Sequence, residues 1–221
     1  MQAFLRDRRG GSAAEFALIL PLFLLFLLGI IDAGRYAWEY NQAEKATQIG
    51  ARWAVATDMI PGALKAYSYA VSCSVPQGTP VGATKFEGTT CTGDGTTATC
   101  TPFSQTCSPA APATGGDATA FGALASRMED IYPAIQPQNI VVEYANSGLG
   151  FSGDPNGPDV APLVTVSLRC APGPADSGCT GDPLPGMRFQ PMTLMLFNGS
   201  LRLPSASYSL TMEDGQGSES N

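Results

Sequence analysis

An uninterrupted apolar stretch near the amino terminus is the strongest pattern in the sequence. Residues 16–31 contain no charged side chain, and Glu15 and Asp32 stand at the two ends of this stretch. The slightly longer segment 13–34 would measure about 33 Å as a helix, which is enough to cross a hydrocarbon core of about 30 Å. We therefore predict a membrane span over residues 13–34.

A helical pattern continues beyond the apolar stretch. Residues 36–59 contain no proline and are rich in alanine, glutamine, glutamate, lysine and arginine, which favour helices. One helix is therefore predicted over residues 12–59, with a kink at Pro21 and a stop at Pro61 and Gly62. One stripe of this helix repeats at three- and four-residue steps: Tyr36, Tyr40, Ala43, Thr47, Gly50 and Ala54.

Small side chains on this helix predict close packing against another helix or a sheet. They are Ala33, Gly34, Ala37, Ala43, Ala46, Gly50 and Ala51. The alternative is an alanine-rich surface helix. Trp38 and Tyr40 also suit the aromatic belt at a membrane interface, and that interpretation is compatible with packing.

The remaining chain predicts a small α+β head. A short helix is expected at residues 63–71 and another at residues 117–131, where apolar residues share one face. Extended segments follow from alternation and β-branched content at 139–144, 162–170, 192–197, 201–203 and 208–212. The expected fold is a helix packed on three to five antiparallel strands over residues 117–214, with a disordered tail at 215–221.

Six cysteines lie beyond the apolar stretch: Cys73, Cys91, Cys100, Cys107, Cys170 and Cys179. Their even number and irregular spacing favour disulfides over zinc, whereas six free thiols would indicate a reducing compartment. We favour a Cys170–Cys179 bridge, because Cys170 ends a strand and Cys179 follows in a loop. Cys91–Cys100 and Cys73–Cys107 are two further choices among about fifteen connectivities. Residues 60–116, dense in cysteine, glycine, threonine and proline, are expected to form loops or short hairpins held by disulfides.

The composition excludes several function classes. The chain has no histidine, which removes Ser-His-Asp and Cys-His catalysis and the commonest metal ligand. Beyond Pro61 it has 13 acidic and 6 basic residues, a balance that argues against nucleic-acid binding. We therefore predict no enzymatic activity, no catalytic residue, no metal site and no cofactor.

In a chain without histidine, paired carboxylates are the main alternative source of acid–base chemistry. Glu129 and Asp130 are adjacent at a helix end and would point in different directions. The acids of the proline- and glycine-rich loops have no EF-hand spacing for calcium and are expected to be solvated. They are Asp154, Asp159, Asp176 and Asp182.

The arginines before the apolar stretch set its predicted orientation. Arg6, Arg8 and Arg9 precede the span with only Asp7 against them, so the positive-inside rule keeps the amino terminus cytoplasmic and exports the rest. A cleaved signal peptide would need an apolar core of about 7–15 residues and a small-x-small site, which this longer core does not offer. A buried core helix is disfavoured by the length, and a plain anchor leaves Glu15 unexplained.

Glu15 suggests that the amino terminus is processed. A charge inside a membrane costs about 2.5–3.5 kcal/mol at the bilayer centre and less near an end, so such a residue is a functional hypothesis by default. A cut after Gly10 would give Gly11 a new α-amino group and make Glu15 the fifth residue. Positions i and i+4 share a helix face, and the helix dipole favours a carboxylate in the first turn.

The motif at residues 10–16, GGSAAEF, resembles a type IV prepilin processing site, in which a basic leader, a glycine, a glutamate and an aromatic residue, here Phe16, precede a long apolar helix. Together with LILPLF at 18–23 and DAGR at 32–35, it resembles the TadE-like pseudopilins of the tight-adherence (Tad) type IV pilus system. The resemblance covers about residues 6–55; beyond them only the general layout is similar.

This resemblance implies a minor pseudopilin with a pilin-like head that acts in pilus assembly and adherence. A prepilin peptidase would remove the leader, residues 1–10, and Glu15 would set axial register against an amino terminus in the fibre. The implied location is the bacterial inner membrane with the head in the periplasm, and incorporation into the pilus is a further option. Implied partners are the peptidase, other pilins and pseudopilins, the inner-membrane assembly platform and the lipid bilayer.

Two other interpretations stay open at this point. One is an unprocessed single-pass membrane protein with an exported ligand-binding domain. The other is a secreted enzyme released by signal peptidase, which the missing histidine and the missing cleavage site disfavour.

Overall fold

The computed structural model describes residues 11–103, 107, 115–155, 157–170, 187–195 and 199–212. The predicted leader and the predicted disordered tail lie outside these residues, as do Gly10, Asp176, Cys179 and Asp182. The chain forms two compact units. One comprises Met1–Glu39 and Arg188–Leu203, and the other comprises Tyr40–Met187 and Pro204–Asn221.

The described residues form five α-helices, a short 3-10 helix (Pro137–Asn139) and eight strands, which confirms an α+β fold with a long amino-terminal helix. In chain order they are α1 (Gly11–Ala56), α2 (Gly62–Lys65), α3 (Tyr69–Cys73), β1 (Thr89–Gly93), β2 (Ala98–Cys100), β3 (Gly115–Gly116), α4 (Ala118–Glu129), β4 (Ile140–Ala145), β5 (Leu163–Leu168), β6 (Arg188–Phe189), α5 (Met192–Met195), β7 (Leu201–Arg202) and β8 (Ser207–Thr211).

Helix α1 is long and apolar enough to cross a membrane once. It contains Pro21, and its large apolar side chains are exposed, from Phe16 at 65% to Ile31 at 42%. Unpartnered apolar side chains on every side of a helix are expected where the solvent is hydrocarbon rather than water. Within the described part of the chain, this one helix indicates a single-pass membrane protein.

The second half of α1 has a different surface. Its small side chains form a buried stripe that includes Ala43, Thr47, Gly50 and Ala54, as the periodicity predicted. By contrast, the small residues Ala33, Gly34 and Ala37 are exposed. The packing prediction is thus confirmed for the later part of the helix and stays a prediction for these three residues.

A six-stranded antiparallel sheet organises the second unit, in the order β3-β2-β1-β4-β5-β8. Strands β4 and β5 pair over their whole length, from Ile140 opposite Leu168 to Ala145 opposite Leu163. Alternate residues of β4 and β5 are buried, which is the pattern of strands with one face on a core. The sheet has one strand more than the three to five predicted, because β1, β2 and β3 all come from the cysteine-rich region.

The cysteine-rich region is a hairpin joined to the sheet. Cys91 of β1 lies opposite Cys100 of β2, and the two form a disulfide. The connecting turn is closed by Asp94, whose carboxylate accepts hydrogen bonds from the N–H groups of Thr97 at 2.7 Å and Thr96 at 2.8 Å. These donors hold the pKa of Asp94 below its usual range.

A second disulfide joins Cys73 at the end of α3 to Cys107. Both bridges are pairings that we put forward from the sequence. Cys170 is also disulfide-bonded, and its predicted partner, Cys179, lies outside the described residues.

Two predicted elements are corrected by the structure. The helix expected at residues 63–71 is two short helices, α2 and α3, because Asp159 accepts the N–H of Tyr69 at 2.7 Å and starts a new helix there. The strand expected at residues 192–197 begins instead as the helical turn α5. Pro191 precedes this turn, and the backbone N–H groups of Met192 and Thr193 donate to the carboxylate of Asp32.

The loop acid Asp159 also differs from its prediction. It is only 4% exposed, and its carboxylate accepts hydrogen bonds from the N–H groups of Tyr69, Gly153 and Asp154. A buried carboxylate needs such donors to offset its lost hydration. Asp159 is therefore a structural acid of the second unit rather than a solvated one.

Gly50 marks the closest approach in the second unit. A Cβ atom at this position would lie 2.7 Å from Sδ of Met128 in α4 and 3.3 Å from Cγ1 of Val166 in β5. The missing side chain of Gly50 therefore lets helix α1 lie close to α4 and the sheet, and a Cβ atom here would displace the side chain of Met128.

We predict that Gly50→Val lowers the free energy of unfolding of the head by about 1–3 kcal/mol, the usual cost of overpacking a core. Urea denaturation of the full chain in detergent, followed by near-ultraviolet circular dichroism, measures this change. Gly34→Val is the matched control, because a Cβ atom there meets nothing within 4 Å. Equal midpoints for the two variants would contradict the close packing at Gly50.

Candidate functional site

The residues of the predicted processing motif lie at the start of α1. Gly11 is the first residue of the helix, and Glu15 follows one turn later with an exposed side chain. Phe16 is 65% exposed. Gly10 lies outside the described residues. The helix thus presents a carboxylate and an aromatic ring outward at its amino-terminal end, where both are accessible to a partner.

A second charged position, Asp32, lies at the other end of the uncharged stretch. Its side chain is buried, with 6% of the residue exposed, although Ile30 and Ile31 beside it are exposed. Its carboxylate accepts hydrogen bonds from the N–H of Met192 at 2.8 Å, the N–H of Thr193 at 2.8 Å and Oγ1 of Thr193 at 2.7 Å. Asp32 therefore caps the first turn of α5 from a distance of 160 residues along the chain.

The segment that Asp32 caps belongs to a hairpin, which the structure describes at residues 188–195 and 199–203 and which we call the 188–203 hairpin. Strands β6 and β7 pair with Arg188 opposite Arg202 and Phe189 opposite Leu201, and α5 lies between the strands. The guanidinium of Arg188 donates hydrogen bonds to Oγ of Ser200 across the hairpin.

Two further side chains of α1 hold this hairpin. The ring of Tyr36 meets the ring of Phe189 edge to face at 5.4 Å, and its hydroxyl donates to the carbonyl of Arg202 at 3.3 Å. The guanidinium of Arg35 lies 5.3 Å from the centre of the Phe189 ring, a cation–π distance. Arg35 also pairs with Asp32 at 3.6 Å and with Glu39 at 3.5 Å.

A cavity of about 440 Å³ lies between α1 and the hairpin. Its walls are mainly apolar and include Gly29 and Ala33 from the helix and Pro191, Leu194 and Leu201 from the hairpin. Polar groups line it only in part, through Asp32, Tyr36, Thr193 and Arg202.

The site combines a mainly apolar cavity with a few polar groups, an arrangement that is typical of a binding site. Among the described residues there is no group of three or more histidine, cysteine, aspartate or glutamate side chains that could hold a metal ion. The adjacent acids Glu129 and Asp130 are both exposed.

The sequence placed Asp32 only at the edge of the apolar stretch and did not anticipate its hydrogen bonds. The sequence signal for these hydrogen bonds lay in the segment that begins α5. Pro191 stands before Met192 and Thr193 and has no side-chain oxygen that could cap the helix. When no neighbouring side chain caps a helix, an acceptor from elsewhere in the chain can bind the N–H groups of its first turn.

We predict that Asp32→Ala loosens the hairpin, because three donors lose a charged acceptor at once. An unsatisfied buried donor costs about 1–3 kcal/mol, so the protection of the Met192 and Thr193 amides should fall about 5- to 150-fold. Hydrogen exchange of the full chain in detergent, read by mass spectrometry, measures it. Glu39→Gln, which weakens the ion pair with Arg35, should leave both amides protected; equal loss in the two variants would contradict the capping role.

Comparison with known proteins found a similarity in the amino-terminal part of the chain. The family model described as TadE-like protein matches residues 10–52. No curated protein and no solved structure matches the chain significantly. The matched residues include Glu15, Phe16, Asp32, Arg35 and the buried small-residue stripe up to Gly50. Residues 10–52, which cover most of helix α1, are therefore similar to the TadE-like family.

Proposed function

We propose that this chain is a minor pseudopilin of a Tad-type pilus, processed by a prepilin peptidase between Gly10 and Gly11. The match to the TadE-like family over residues 10–52 carries this proposal. It begins at the residue before the proposed cut and includes the single carboxylate at the entrance of the apolar stretch. Such proteins act by assembly, and the proposal requires no catalytic group.

The placement of Glu15 supports a role in assembly. It is exposed on α1 four residues after Gly11, the first residue of the helix. A carboxylate in a bilayer is unfavourable in free energy, and a helix that serves only as an anchor does not require one. A processed amino terminus, in the same chain or in a neighbour, supplies the cation that offsets this cost.

The proposed location is the bacterial inner membrane, with the amino terminus in the cytoplasm and the head in the periplasm. The arginines Arg6, Arg8 and Arg9 support this orientation by the positive-inside rule. The disulfides Cys73–Cys107 and Cys91–Cys100 agree with it, because such bonds persist in oxidising compartments.

The proposed partners follow from this location. The peptidase acts at the cytoplasmic end of α1, the assembly platform meets the protein in the membrane, and other pilins and pseudopilins pack on the apolar helix when it leaves the bilayer. In this scheme the protein contributes to adherence through the pilus.

We predict that the mature protein from native membranes starts at Gly11. Mass spectrometry of the terminal peptide measures this directly. Gly10→Leu should block the cut because a bulky side chain replaces the glycine before the scissile bond, while Gly11→Ala should still be processed. A retained Met1 in a cell with an active prepilin peptidase would instead indicate an unprocessed single-pass protein with an exported ligand-binding domain.

We further predict that Glu15→Ala abolishes pilus assembly without reducing the amount of protein in the membrane. Removing a charge from the span favours insertion by up to about 3 kcal/mol, so a simple anchor would insert as well or better. Electron microscopy of pili and quantification of the membrane fraction separate the two effects. Glu129→Ala removes the same charge from the exposed end of α4 and should leave pili intact; normal piliation in Glu15→Ala would sink the assembly role.

A further inference from the structure

The 188–203 hairpin differs in charge from the rest of the chain. It contains Arg188 and Arg202 and no acidic residue, although the chain carries a net charge of −7. The arginines lie opposite each other on β6 and β7. The hairpin is therefore a small basic element in an acidic protein.

The hairpin also exposes apolar side chains. Met192 is 48% exposed and Leu201 is 47% exposed, and Leu201 lines the cavity against α1. On the helix, Ile30 and Ile31 are 59% and 42% exposed. Exposed apolar groups that lie together mark an interaction site rather than ordinary surface.

The hairpin is held at the end of the uncharged stretch of α1. Asp32 caps α5, Tyr36 contacts Phe189, and the cavity reaches Gly29. Because residues 16–31 are the part of the helix that faces hydrocarbon, contacts at residues 29–36 place the hairpin at the boundary between hydrocarbon and headgroups. Its exposed apolar surface is thus continuous with the membrane-facing surface of the helix.

The charges at this level leave the hairpin arginines available to lipid. Asp32 is occupied by the N–H groups of α5, and Arg35 lies between Asp32 and Glu39. Arg188 contacts the neutral Ser200, and the side chain of Arg202 is exposed. Arginine can lay its apolar stem on hydrocarbon and keep its guanidinium among phosphates.

We propose that the 188–203 hairpin is a second membrane-binding element, which inserts Met192 and Leu201 into the interface of the leaflet that α1 leaves and binds anionic phospholipid headgroups through Arg188 and Arg202. Asp32 fixes it to the helix, so the hairpin sets the depth and rotation of α1 in the bilayer. The proposal depends on the membrane position of α1 and is independent of amino-terminal processing.

Photo-crosslinking tests the insertion. A benzophenone amino acid is placed at Met192 or Leu201 of the full chain, which is reconstituted in vesicles of equal parts phosphatidylglycerol and phosphatidylcholine. Both positions should give phospholipid adducts by mass spectrometry. Adducts with a second copy of the chain alone, or no adducts at positions 192 and 201, would overturn the proposal and, in the first case, make this surface a protein interface.

The same vesicles test the role of charge. The adducts at Leu201 should contain phosphatidylglycerol in excess over phosphatidylcholine, by about fivefold for each arginine near the surface. Arg202→Gln should reduce this excess about fivefold, Arg202→Lys should retain it, and Arg127→Gln on α4 should not change it. An unchanged excess in Arg202→Gln would show that the arginine does not bind the headgroup.

Discussion

One helix that must be stable in two environments is the constraint on which the rest of the structure depends. The first part of α1 exposes large apolar side chains from Phe16 to Ile31, which only hydrocarbon can satisfy. Its later part buries alanine, threonine and glycine, of which Gly50 lies close to Met128 and Val166. The first part has large apolar side chains because it faces lipid. The later part has small side chains because it packs closely against a protein core.

The change between the two environments falls at Asp32, and there the chain meets a problem of solvation. A carboxylate that leaves water needs donors. Asp32 obtains them from the first turn of α5, and the hairpin in turn obtains a cap that its own sequence lacks. Arg35 and Tyr36 on the next turn of the helix extend the contact to Phe189 and Arg202. A residue that is unfavourable in a plain anchor therefore becomes the attachment point for a distant segment.

The sequence predicted those features that depend on local repetition. The long helix, α4, β4, β5 and the buried stripe around Gly50 all follow from periodicities that few alternatives share. It also supplied the Cys91–Cys100 and Cys73–Cys107 pairings, though only as choices among many. Strands β1 to β3 were missed as members of the main sheet, because a threonine- and glycine-rich hairpin shows no alternation and its pairing with β4 is a long-range property. The motif around Glu15 was recognisable because it consists of residues at fixed spacing along one helix.

The two errors with most structural content have one physical cause. Asp32 starts α5, and Asp159 starts α3, each by accepting a backbone N–H from a segment far away in the chain. Propensity rules describe caps supplied by the residue just before a helix, so they misassign short helices whose cap is remote. In both cases the acid that caps the short helix lies far from that helix in the sequence. An aspartate at the edge of an apolar stretch does more than mark a boundary, because its carboxylate needs hydrogen-bond donors. In this protein those donors come from the basic hairpin, which is thereby joined to the membrane helix.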